Sequence, residues 1–182
     1  MKNTKVLLTV LAIILVIAIV VGVILINGGG SKTNLEVSNV EDMKNLVTKL
    51  YSGLEEQLPG SLATTEVDLS NLDIVKGYTG LESTEGIKGI VASEPMISSQ
   101  AYSLVMVQAE NSKKAAEIAK AMSEKVNPSK WICVTAENIY ATSSGDIAFL
   151  VMSSEEWAKP VYENFKKEAG NIGEEYFKQE SL

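Results

Sequence analysis

Nucleophilic side chains are few enough in this chain to be weighed one at a time. The stretch SEPMISSQAYSLVMVQAE, residues 93–110, carries Ser93, Ser98, Ser99 and Ser103 beside two methionines. Cys133 is the only cysteine, and histidine and arginine are absent. Without imidazole, neither Ser-His-Asp nor Cys-His machinery can be assembled, and the commonest general base is missing. A Ser-Lys pair remains as a way to activate a hydroxyl. No lysine has a serine three residues before it, however, so the Ser-x-x-Lys arrangement is absent. No catalytic residue is assigned, and no enzymatic activity is expected.

Metal and cofactor chemistry is equally thin. One thiol and no imidazole cannot make a structural zinc site. DLSNLD, residues 68–73, clusters Asp68, Asn71 and Asp73, but helix capping and turn formation account for them better than calcium does. NGGGSK at 27–32 does not follow a strand, as a phosphate-binding loop must. No metal site and no cofactor are expected. Cys133, between Ile132 and Val134, reads as a small buried core residue.

Four residues are candidate contacts for a ligand or partner: Met96, Tyr102, Met106 and Trp131. Aromatic and thioether side chains line apolar and sugar-binding sites, and core packing is the competing reading for each.

The elements that would position them follow a targeting segment. VLLTVLAIILVIAIVVGVILI, residues 6–26, carries no charge. As a helix it would span about 30 Å, the thickness of the hydrocarbon core. Residues 1–5 form a stub with Lys2 and Lys5, which the positive-inside rule places in the cytoplasm. Residues 27–37 form a flexible tether with an r.m.s. reach of roughly 17 Å. A domain at 38–170 then lies outside the membrane, followed by a frayed tail at 171–182. Cleavage near Gly30 would release it instead. The partners expected are the lipid bilayer, through residues 6–26, and an envelope protein or a second copy of the chain. Beyond residue 30, 14 lysines face 23 acids, a net charge of −9. Nucleic acid is excluded as a partner, because clustered cations must displace its counterions.

Within 38–170, period and punctuation predict a helix over 39–57, opened by Ser38 and Glu41 and stopped by Pro59-Gly60. Residues 64–86 are turn-rich, with a short helix over 68–76. Strands are predicted at 87–94 and 100–110, and a helix capped by Ser112 at 112–126. Further strands follow at 131–136, 139–142 and 147–154, with a turn at 143–146. A last helix from Ser153 is stopped at Gly170. The fold class is α+β, with a mostly antiparallel sheet packed by helices.

SEPMISSQAYSLVMVQAENSKKAAEIAKAM and KWICVTAENIYATSSGDIAFLVMSS resemble small uncharacterised proteins of Gram-positive, clostridial-type bacteria. These carry an N-terminal membrane span or lipid anchor and a domain of unknown function. The resemblance covers roughly residues 58–168 and implies an α+β domain outside the cytoplasm, with no activity, cofactor or catalytic residue attached. The element order is also similar to ring-building modules of sporulation and secretion channels, a likeness of layout alone. The function expected is a non-enzymatic, membrane-anchored interaction or scaffold module of the cell envelope. The alternative is a domain binding a small ligand or peptidoglycan fragment, and the third reading is an extracytoplasmic enzyme.

Overall fold

A computed structural model describes residues 35–180 apart from Ser98. The expected span at 6–26 lies outside the described residues, and no described helix is long and apolar enough to cross a membrane. The described residues fall within one compact unit, Ser31–Leu182.

Four helices and six strands follow in the order α1 (Val40–Tyr51), β1 (Leu62–Glu66), α2 (Leu72–Thr79), β2 (Ile87–Pro95), β3 (Ser103–Ala109), α3 (Ser112–Lys125), β4 (Asn138–Ser144), β5 (Ile147–Ser153), α4 (Glu155–Ala169) and β6 (Tyr176–Gln179). The sheet order is β1-β2-β3-β5-β4-β6, and every neighbouring pair is antiparallel. The α+β class with an antiparallel sheet is therefore as expected.

Both faces of the sheet are covered, which explains why the inner strands are apolar on both sides. Leu104 and Met106 of β3 face α1 and α4, packing with Met43, Leu50, Phe149 and Phe165. Val105 and Val107 face α2 and α3, packing with Val75, Ile118 and Met122. The result is three layers, with one core on each side of the sheet.

Several boundaries differ from expectation for local reasons. Asn39 rather than Ser38 caps α1, its side chain accepting from the Asp42 N–H at 3.0 Å, while the Ser38 N–H donates to Asp42 Oδ2. The helix ends at Tyr51, short of Pro59, because Gly53 adopts φ +80 and the chain continues in turns. In α2 the stop is Gly80, not Gly77. Asn111 precedes Ser112 as the cap of α3. Ser154 rather than Ser153 precedes α4, and Pro160 lies inside the helix.

Two corrections matter more. Residues 131–136 form no strand; they belong to a loop between α3 and β4. Cys133 is consequently exposed, at φ +63, and is not a core residue. The tail is not frayed either: β6 pairs with β4 along 138–141 and closes that edge of the sheet. Phe177 lies against Tyr140, 4.9 Å between ring centroids, and Tyr140 stacks on Tyr162 at 5.2 Å.

Candidate functional site: an apolar tip braced by Lys130

At one end of the sheet, two loops stand side by side. The first joins β2 to β3 and carries Met96 and Ile97. Its start is held by the Met96 N–H donating to the Ser61 carbonyl at 3.1 Å. The second runs from α3 to β4 and carries Trp131, Ile132 and Cys133. It closes on itself: the Ala136 N–H donates to the Pro128 carbonyl at 2.8 Å, and the Ser129 and Thr135 hydroxyls lie 3.0 Å apart.

Lys130 joins the two loops. Its Nζ is ion-paired to Glu94, at the end of β2, and donates to Ser103 Oγ at 3.2 Å, at the start of β3. The ammonium also lies over the rings of Tyr78, at 4.9 Å, and Trp131, at 5.2 Å. The two charged side chains are only 15% and 23% exposed. Burial pulls the Lys130 ammonium below the ordinary lysine value, and the Glu94 carboxylate acts against that shift. Burial and the same carboxylate push the Tyr78 phenol up.

Serine and lysine thus meet in space although no sequence spacing announced it. Ser103 is wholly buried under the loop. What the cluster does is fix the second loop over the sheet end.

On these two loops three large apolar side chains are exposed. Met96 is 77% exposed, Ile97 60% and Ile132 72%. Residues 95–100 and 131–136 include no ionisable side chain apart from the Cys133 thiol. The chain enters the domain at the other end of the sheet. Gln108, at the far end of β3, reaches both the Val37 carbonyl, at 3.5 Å, and Asp146, at 3.3 Å.

The four candidate contacts do not converge. Met96 is on the tip. Trp131 is half-buried against the α2/α3 core. Tyr102 and Met106 are wholly buried on the opposite face, under α1 and α4. Tyr102 donates to the Tyr51 hydroxyl at 3.1 Å. Tyr102 and Met106 share one buried face, whereas Met96 lies beyond the end of β2 and is exposed, so the three do not line one surface. Sequence reasoning missed Ile97, Ile132 and Lys130. For Ile132 the apolar run 131–136 reads as a strand in sequence, while Ile97 and Lys130 lie in connecting segments with no pattern to single them out.

Among the described residues no three acidic or thiol side chains converge as a metal site would require. Comparison with protein-family models, curated proteins and solved structures returns no match.

Proposed function

We propose that this protein is a non-catalytic interaction module, held at the outer face of a membrane by residues 6–26 and docking an envelope protein through the Met96–Ile97–Ile132 tip. The observation that carries the reading is the tip itself: large apolar side chains stand in water on loops that are rigidly braced from beneath. Isolated exposed apolar residues are ordinary, whereas a cluster at one end marks a contact surface.

A protein fits this surface better than the anchoring bilayer does. The tip lies a strand's length from where the chain enters, and the nine residues of β2 extend about 30 Å. The net charge of −9 beyond residue 30 also opposes an anionic lipid surface. The resemblance to anchored clostridial-type proteins agrees with the same placement.

The test is a photo-reactive residue at Ile132 in the full-length protein in its own membranes, with one at Lys113, on the N-terminal turn of α3, as the control. A discrete crosslinked protein from position 132 alone, lost in Met96→Asp, is the expected result. Crosslinks to lipid only, or equal products from both positions, would overturn the proposal.

A further inference from the structure

The two ends of the sheet are not equally protected. β6 is four residues long and carries Lys178, ion-paired to Glu180, and a charged edge of this kind resists pairing. β1, LATTE, has no lysine, no proline and no register shift against β2, and its only charge is at its last residue.

The direction of its backbone groups follows from its two ends. The Ser61 carbonyl accepts from Met96, and the Val67 N–H donates to Ile90, so both point inward to β2. Ala63 and Thr65 share that parity. Leu62, Thr64 and Glu66 therefore turn their N–H and C=O groups outward, and no backbone group among the described residues meets them.

We propose that β1 pairs antiparallel with β1 of a second copy, about a two-fold axis at Thr64, joining two sheets into one of twice the width. This goes beyond the tip reading and does not depend on it. The register is self-complementary. Thr64 exchanges both bonds with its own copy, and Leu62 does the same with the other copy's Glu66, so every outward group finds a partner. Ala63 faces Thr65 across the axis at the close, non-hydrogen-bonded positions. No charge opposes a like charge along the strand, and threonine pairs suit such positions. The net charge of each domain does repel the other, so the dimer strengthens as salt rises.

The experiment uses the full chain in detergent at no more than one chain per micelle, with Cys133→Ser as background. Ala63→Cys combined with Thr65→Cys should give a covalent dimer on mild oxidation, because these positions bring Cα atoms to about 4.5 Å. Glu66→Cys alone, which faces Leu62 and not itself, should not. Thr64→Pro removes an outward N–H, together with the Thr64 hydroxyl that donates to Ser93, and should abolish the dimer. Glu66→Pro serves the same purpose without touching the Thr64–Ser93 hydroxyl contact. Equal crosslinking by Glu66→Cys, or persistence of the dimer in both proline variants, would overturn the proposal. So would a monomer at every salt concentration.

Discussion

Lys130 and Glu94 are 36 residues apart in sequence and form an ion pair at the end of the sheet, with the Ser103 hydroxyl 3.2 Å from the same ammonium. The pair links the loop after α3 to the end of β2, and so sets where Ile132 and Met96 emerge. Its two members are not equivalent. Removing the carboxylate leaves a largely buried ammonium uncompensated, whereas removing the ammonium leaves a carboxylate near water. Glu94→Gln should cost about 2–3 kcal/mol, somewhat less than the loss for a fully buried pair. Lys130→Met, which keeps an apolar stem against Tyr78 and Trp131, should cost about 1 kcal/mol or less. Urea midpoints at constant slope read the difference. Equal losses would mean that the charge is not what holds the loop.

The Tyr51–Tyr102 hydrogen bond predicts an alkaline weakness. Burial pushes the Tyr51 phenol up to about 12, and the Tyr102 phenol well above its usual value. Above pH 10 the unfolded phenols release protons that the folded ones retain, so folding loses stability as pH rises. For Tyr51 alone the loss between pH 10 and 12 is about 2 kcal/mol. Tyr51→Phe should flatten the fall in unfolding free energy over that window, as read from urea unfolding at pH 8, 10 and 11.5.

Gly80 ends α2 at φ +74, with its Cα against the carbonyl of Lys125 at the end of α3. A methyl group there would overlap the Lys125 backbone, and the left-handed conformation disfavours any side chain. Gly80→Ala should therefore cost about 2–4 kcal/mol, from the strain of that conformation plus overpacking. Gly77→Ala, in the interior of the same helix with open space around it, should be neutral or mildly stabilising. Thermal unfolding of the two variants separates a backbone requirement from helix propensity.

The β6 edge makes a further prediction. Phe177 covers Tyr140, and Glu175 accepts from the Tyr162 hydroxyl at 2.9 Å. Phe177→Ala should cost about 1 kcal/mol, the worth of an aromatic pair at an exposed edge. Deleting residues 174–182 should cost distinctly more, because it also strips the β4 ladder of its partner. In hydrogen exchange, the amides of Ile139 and Ala141, which face β6, should lose protection first in the deletion variant.

Some of this was legible in the chain before any coordinates. Apolar alternation in 103–109 and 147–153 marks strands buried on both faces, and the stripe Ala115, Ile118, Ala119, Met122 marks the inner face of α3. These are local patterns, written within one element and set by its repeat. β1 and β6 were invisible for the opposite reason. LATTE and YFKQ have no distinctive period, and only their partners, β2 and β4, make them strands. The run at 131–136 misled because apolar composition was read as burial. Its residues stand out on a loop because Lys130 holds the chain to Glu94 and Ser103, a contact between distant segments that no local pattern contains.

The sequence by itself determined the uncharged segment at 6–26, the acidic balance beyond it, the lack of imidazole chemistry and the antiparallel α+β class. Each follows from composition or from a repeat a few residues long. Tertiary structure alone decided which residues share a face, that Tyr102 and Met106 lie on the opposite side of the sheet from Trp131, and that Lys130 joins the loops bearing Met96 and Ile132 at the end away from Val37. Those relations depend on strand order and on side-chain bonds across tens of residues. They arise only when the chain closes on itself.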